Sequence, residues 1–412
     1  MNIVLINHYA GSTFHGMEYR PYYMAKSWME QGHKVTIIGA SYSHVRTNQP
    51  DIREIWTNEE LNGVNYVWLK TPEYEGNGAK RAFNMFTFVK RLYQFKDKIV
   101  NEFRPDAVIA SSTYPLDIYP AAKIARQANA KLFFEVHDLW PLSPMELSNM
   151  SPYHPFIFVM QRAENYAYRK SDKVISLLPK AKEHMIQHGM DPNKFVYLPN
   201  GIVVDDWKNF EGIPEEHEHI ISRLKNEGKF LVGYAGTHGL ANALLSLIEA
   251  AKLLQDHPIS FVLVGKGPER DRLINEARKH NLNNIYFLPV IPKKSIPDFL
   301  SKMDALYIGL RRTSLFRFGV SPNKLLDYMM AAKPIIHGID AGNDLVEEAG
   351  CGISIEPEEP TAIAEAVLKM LGTSDEQRQE WGKNGKDYVL EHHEYNVLAT
   401  QFLNCIQKTI NE

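Results

Sequence analysis

The chain is poor in cysteine, with Cys351 and Cys405 alone among 412 residues. There is no Cys-x-x-Cys and no Cys/His cluster at ligand spacing. The expectation is therefore free thiols in a reducing cytosol, with neither a disulfide framework nor a metal site. Long apolar runs are also missing. No segment approaches the roughly 18 apolar residues that span a bilayer. The N-terminus, Met-Asn-Ile-Val-Leu-Ile-Asn-His, lacks the basic start of a signal peptide and reads directly as a buried strand. A cytoplasmic location is expected. Nor is there an excess of one charge: the formal net charge of −3 argues against a protein whose main task is gripping nucleic acid.

What is present is a chain too long for one core, which suggests two domains of about 200 residues each. Apolar runs at residues 3–6, 35–38, 66–69, 107–110, 132–136 and 174–177 alternate with amphipathic, helix-length segments. Unbroken apolar strands with helical connections predict an α/β domain whose parallel sheet is covered on both faces, Rossmann-like in type. After Pro199-Asn200-Gly201 comes an acidic stretch with Asp205, Asp206, Glu211, Glu215 and Glu216. The alternation then restarts at residues 230–234, 259–264, 285–288, 305–308 and 334–339. The domains are placed at 1–200 and 201–394, with a last helix in 395–412 that fold analogy sends back onto the first domain. Ligands of such sheets bind at the carboxyl ends of the strands, so the loops there are the places to look.

The most informative loop is residues 316–328, Phe-Arg-Phe-Gly-Val-Ser-Pro-Asn-Lys-Leu-Leu-Asp-Tyr. Ser321 before Pro322 predicts a helix start, with Ser321 as cap and Pro322 at the first helical position. Lys324 then falls in the first turn, where the helix dipole disfavours a cation unless an anion is bound; a diphosphate suits both the amides and the lysine. Equally, Lys324 reads as a solvated lysine. Asp327, one turn on, could accept two ribose hydroxyls or pair with Lys324. Gly236-Thr237-His238-Gly239 and Gly265-Lys266-Gly267 follow strands and allow close backbone approach to phosphate; each is also an ordinary strand-to-helix turn.

In the first domain, Gly11 follows the first strand, and Gly16, Glu18 and Arg20 open the next helix. His137 and Asp138 end a strand; His137 could donate to a sugar hydroxyl or be structural. Residues 80–96 combine basic residues with aromatics at helical spacing, a pattern that fits an anionic membrane surface or a helix burying its aromatics.

At these residues the sequence resembles glycosyltransferase family 4. The matching segments are Leu198-Pro199-Asn200-Gly201-Ile202, residues 263–269 through Phe287-Leu288-Pro289, and Asp327-Tyr328-Met329-Met330-Ala331-Ala332-Lys333-Pro334. Residues 319–329 are similar to the WbuB-like branch of O-antigen and capsule amino-sugar transferases. The resemblance implies a GT-B architecture of two facing Rossmann-like domains. It implies retaining, metal-independent transfer of an N-acetylated amino sugar, such as N-acetylfucosamine, from a UDP-sugar. The implied acceptor is an undecaprenyl-diphosphate-linked saccharide, with peripheral contact to an anionic membrane and no cofactor. The implied donor-binding set is Gly236, Thr237, His238, Gly265, Val290, Gly319, Val320, Ser321, Pro322, Asn323, Lys324 and Asp327. The resemblance further implies that Gly11, Gly16, Glu18 and Arg20 lie on the acceptor side and that His137 and Lys324 are the catalytic residues.

Two departures stand out. The family carries a spaced pair of glutamates; Asp327 takes the second position and Gly319 the first. The family's arginine and lysine after the second domain's first strand are replaced near Thr237 and Asn242, which shifts charge neutralisation to Lys324, with Arg311, Arg312 or Arg317 as helpers. Rival readings are a nucleotide-sugar 2-epimerase, a non-catalytic nucleotide-sugar binder and an NAD-dependent dehydrogenase; neither glycine-rich turn completes the fingerprint of the last.

Overall fold

The computed structural model describes residues 1–76 and 78–412. The chain forms two compact units, one of Met1–Asn200 with Tyr395–Glu412, the other of Gly201–Glu394.

In the first unit the strands are β1 (Asn2–Ile6), β2 (Lys34–Ala40), β3 (Trp56–Leu61), β4 (Val64–Leu69), β5 (Ala107–Ala110), β6 (Lys131–Val136), β7 (Lys173–Ser176) and β8 (Phe195–Tyr197). They form one sheet in the order β3-β4-β2-β1-β5-β6-β7-β8. All pairings are parallel except β3 with β4. The apolar runs of β1 and β5 are buried because helices cover both faces, as a parallel sheet requires. β3 instead alternates buried or half-buried with exposed side chains, as an edge strand with one solvated face does.

The helix Tyr395–Asn411 completes this unit by packing on the helix Arg20–Glu30. Trp28 Nε1 donates to the Ala399 carbonyl at 2.8 Å, and the Trp28 ring meets Phe402 edge-on. The basic, aromatic segment becomes the helix Ala79–Phe103. Its Met85, Phe88 and Leu92 are buried, whereas Phe83 and Phe86 face outward, 65% and 44% exposed. The aromatics of this helix thus divide between core and surface. Among the described residues, no helix is long and apolar enough to cross a membrane.

The second unit contains β9 (Phe230–Ala235), β10 (Ile259–Val264), β11 (Ile285–Leu288), β12 (Ala305–Gly309), β13 (Ile335–Gly338) and β14 (Gly352–Ser354). The order is β11-β10-β9-β12-β13-β14, parallel throughout. The strand order reverses between β9 and β12, which makes the loops after those strands the switch point where open α/β sheets bind ligands. Cys351 is buried in this unit and Cys405 half-buried in the other; both thiols are free.

Candidate active site

The loops after β9 and β10 pack backbone against backbone. Gly236 N donates to the Val264 carbonyl at 3.0 Å, His238 N to Lys266 O at 2.9 Å, and Glu269 N to His238 O at 3.0 Å. There is no room for side chains between them. A Cβ on Gly265 would lie 1.9 Å from Gly236 O, and one on Gly267 would lie 2.4 Å from His238 O. A Cβ on Gly236 would lie 2.6 Å from Lys324 Cε. Glycine at these positions therefore has a steric cause.

The helix Asn323–Met330 closes the third side. It starts one residue later than the sequence suggests: Pro322 occupies the cap position in extended backbone, and no side chain caps the first turn. The difference arises because Leu325 N already bonds the Pro322 carbonyl at 3.0 Å, so Pro322 takes the role assigned to Ser321. Tyr328 pins the helix to the end of β9, its hydroxyl accepting from Ala235 N at 2.9 Å.

Lys324 is the cation of this cradle. Its Nζ donates to Tyr234 Oη and to Asn242 Oδ1, both at 2.8 Å, and stands 4.3 Å above the Tyr234 ring. Burial pulls the amine down to about 7, near neutrality. Its bonds go to uncharged groups, so neither the solvated lysine nor an ion pair with Asp327 describes it. The Asp327 carboxyl is pushed up to about 7, first by burial, with Lys293 opposing and Asp206 reinforcing. Lys293 and Asp206 themselves pair at 2.9 Å.

His238 is fully buried, and among the described residues neither ring nitrogen has a hydrogen-bond partner. Burial lowers its pKa to about 4, with Arg270 and Lys324 adding to the effect, so the ring is neutral at pH 7. A neutral imidazole offers one donor and one acceptor, and a buried polar group left unpaired costs about 1–3 kcal/mol.

The structure brings Gly236, Thr237, His238, Gly265 and Lys324 together. Thr237 takes part through its carbonyl, which accepts from Tyr234 Oη at 2.8 Å and Asn242 Nδ2 at 3.0 Å. Gly319 adopts φ of 100°, open to glycine without strain. Val320 is clamped by Asn343, which accepts from its N–H at 2.8 Å and donates to its carbonyl at 3.1 Å. Val290 is exposed beyond β11, on the edge of the sheet. Arg311 and Arg312 turn to Glu358 and Glu356, while Arg317 stacks on Phe318 and bonds the Ser314 carbonyl. Sequence reasoning missed Tyr234, Asn242 and Asn343 as supports, because a tyrosine in a strand and asparagines in loops carry no periodic signal.

In the first unit, Arg20 is buried and committed: Nε donates to Glu135 Oε1 at 3.0 Å, Nη1 to Pro199 O at 2.5 Å and Nη2 to Leu198 O at 3.2 Å. Glu135 is buried too, yet Arg20 first, then His137 and Ser111, hold its carboxyl well below the usual range against desolvation. Ser111 Oγ donates to Glu135 Oε2 at 2.6 Å and lies 3.0 Å from His137 Nε2. Since the serine proton is spent on Glu135, His137 must donate from Nε2. Its Nδ1 is then the acceptor in neutral form and a donor when protonated. Burial opposes that protonation, but Glu135 and Glu18 outweigh it and the His137 pKa is raised. Burial also raises Asp138. Gly11 and Gly16 touch, a Cβ on Gly11 lying 2.0 Å from Gly16 O, and Gly11 N donates to Glu18 O at 2.8 Å.

Two Rossmann-like, mostly parallel-sheet units are the parts of a GT-B fold, and solved structures agree. A sucrose-phosphate synthase from Thermosynechococcus elongatus aligns with TM-score 0.73 at 15% identity, covering 99% of each chain. Anabaena HepE in complex with UDP aligns with TM-score 0.69 at 15% identity, covering 99% of this chain and 100% of that one. Residues 15–201 match the model of the glycosyl transferase 4-like domain, and residues 215–388 that of glycosyl transferases group 1. A curated relative from Escherichia coli K12, the colanic acid biosynthesis glycosyl transferase WcaI, assigned there as putative, is 20% identical over 83% of this chain and 85% of its own. The chain belongs to glycosyltransferase family 4 and is a glycosyltransferase of the GT-B fold.

Proposed function

We propose that the protein transfers an N-acetylated amino sugar, such as N-acetylfucosamine, from a UDP-sugar to an undecaprenyl-diphosphate-linked saccharide in cell-surface polysaccharide synthesis. The observation that carries the donor half is Lys324, a half-buried amine bonded to neutral groups, beside the orphaned ring of His238 in a glycine cradle. A diphosphate there meets a cation, the uncapped amides of the helix Asn323–Met330 and an imidazole. Leaving of the nucleoside diphosphate builds negative charge at that point, so these groups stabilise the transition state more than the ground state. In this reading anomeric configuration is retained, the charge is met by Lys324 without a metal, and Asp327 accepts the ribose hydroxyls. His137, with its Nδ1 available, orients sugar hydroxyls.

The polysaccharide context is supported by the name of WcaI and the nucleotide by HepE, which was solved with UDP. The exposed Phe83 and Phe86 beside Lys80 and Lys90 support a peripheral seat on an anionic membrane, from the cytoplasmic side. The test is a screen of nucleotide sugars for thermal stabilisation, followed by acceptor-dependent UDP release. Stabilisation by UDP-sugars with release lost in Lys324→Ala is expected. Conversion of the donor with no acceptor present would point to an epimerase, and binding without release to a non-catalytic binder.

A further inference from the structure

Away from the cradle, the helices Pro155–Lys170 and Lys182–Gln187 of the first unit bring together Glu164, His184 and His188. One ligand atom from each lies within 4.8 Å of the others. Glu164 is buried, and a carboxylate removed from water needs a cation or a full set of donors. Tyr168 Oη donates to its Oε1 at 2.9 Å and Gln161 Nε2 to its Oε2 at 2.7 Å, and both donors are neutral. His184 Nε2 stands 3.8 Å from Oε1. That is too long for a hydrogen bond, but two ligands about 2.0–2.2 Å from one tetrahedral zinc ion stand roughly 3.3–3.6 Å apart, so a shift of a few tenths of an ångström suffices.

The imidazoles suit ligation. Their rings lie 4.5 Å apart. Gln161 spends one amide hydrogen on Glu164 and the other on Asn165 Oδ1 at 2.8 Å. His188 Nδ1 lies 2.9 Å from Gln161 Nε2 and 3.2 Å from Asn165 Oδ1, so the ring's other nitrogen, Nε2, is the one left for a metal, with the Nδ1 proton then directed to Asn165. In that tautomer Asn165 would hold the ring as an outer-shell partner does.

We propose that Glu164, His184 and His188 form a site for a borderline divalent metal ion, Zn²⁺ in type, which staples the helix Pro155–Lys170 to the segment after β7. One carboxylate and two imidazoles match zinc and its neighbours, whereas Mg²⁺ and Ca²⁺ prefer oxygen alone. A fourth position is left to water. A second group, Glu249, Glu276 and His280, is a natural control. Its Glu276 already accepts from Lys279 at 2.9 Å and meets His280 at 3.0 Å, so its charge is balanced within the protein.

The experiment uses the untagged full chain, stripped with chelator, titrated with ZnCl₂ by calorimetry and melted with and without zinc. One saturable zinc per chain and a raised Tm are expected, with no response to MgCl₂. His184→Ala and His188→Ala should each weaken binding by more than the roughly 10–100-fold that loss of an outer-shell partner costs. His280→Ala should bind as the parent does. Both histidines are half-buried, so these variants carry the test even where Glu164→Gln fails to fold. No saturable binding by the folded parent, or unchanged affinity in the His184→Ala/His188→Ala double variant, would overturn the assignment.

Discussion

On the proposed donor site, the amine of Lys324 would make donor binding depend on pH in a calculable way. Burial brings its pKa down to about 7 from an ordinary 10.5. At about 1.4 kcal/mol per unit, the unliganded site disfavours the ammonium by on the order of 5 kcal/mol. A diphosphate acts in the opposite direction and restores the charge. Near pH 6 the ammonium is present before binding; above pH 7 the ligand must bind a neutral amine and draw in a proton. UDP affinity should therefore fall about tenfold for each pH unit above 7, until the pKa of the complex is reached. Calorimetry in buffers of different ionisation enthalpy should show about one proton taken up near pH 8.5. Lys324→Met isolates the effect, since Asp327 titrates in both proteins and His238 stays neutral across the range. Near pH 6 the variant should bind UDP roughly 10–150-fold more weakly, the worth of a charge-assisted hydrogen bond of about 1.5–3 kcal/mol. That gap should close as pH rises. For the unliganded protein the sign reverses: the unfolded chain binds the extra proton between about pH 7 and 10.5, so burying Lys324 costs stability fully below that window and less within it. The variant without UDP should therefore gain most in Tm at low pH. A gap in UDP affinity that is constant with pH would refute the reasoning.

Other consequences are open to simpler assays. Glu135→Gln leaves Arg20 buried without its charge partner and should cost about 3–5 kcal/mol in urea unfolding. Because the folded pKa of Glu135 lies below the ordinary value, that contribution is complete above the ordinary carboxylate range and lost as pH falls through it. Gly265→Ala should abolish UDP-induced stabilisation, since its Cβ would lie 1.9 Å from Gly236 O, whereas Gly372→Ala, with nothing within 4 Å, should leave it intact. Replacing Phe83 and Phe86 by serine should release the protein from anionic vesicles in flotation while leaving its Tm within a few degrees; equal retention would return that face to solvent.

Periodicity revealed the parallel sheets because buried strands such as Ile259–Val264 and Ala107–Ala110 are apolar without interruption. It missed β3, β8 and β14. β3 reads Trp-Thr-Asn-Glu-Glu-Leu, whose polar residues are tolerated because one face is solvated. β8 and β14 are three residues each at sheet edges, too short to carry a pattern. In the cradle, Lys324 and the glycines were visible as residue types, but the partners of Lys324 were not. Tyr234 and Asn242 lie about 90 and 82 positions away in sequence, and only the closure of β9 against the helix Asn323–Met330 brings them to it. The proposed metal cluster was only half legible: His184 and His188 stand four residues apart, a ligand spacing, but Glu164 comes from a different helix, so the third member carries no sequence signal.

The departures from the family pattern belong together electrostatically. Where the family has a first glutamate, Gly319 sits at φ of 100°, and its N–H bonds the Phe316 carbonyl at 2.8 Å. Gly342 N reaches the same carbonyl at 2.7 Å, and Asn343 holds Val320 on both sides. That loop is thus fixed by backbone and amide groups and brings no carboxylate of its own at Gly319. Across the cradle, Asn242 stands about where the family places a lysine, and its Oδ1 accepts from Lys324 Nζ at 2.8 Å. On the resemblance, neutral groups stand on both loops where the family carries charges. A glutamate beside a diphosphate would add repulsion that the missing cations no longer offset, at roughly 4 kcal/mol for unit charges about 4 Å apart at an effective dielectric of 20. Restoring a carboxylate at residue 319 alone should therefore weaken nucleotide binding, first through that repulsion and second because a side chain at positive φ strains the loop. Restoring it together with Asn242→Lys should recover the electrostatic part and leave the strain, so a double-mutant cycle on UDP affinity separates the two causes.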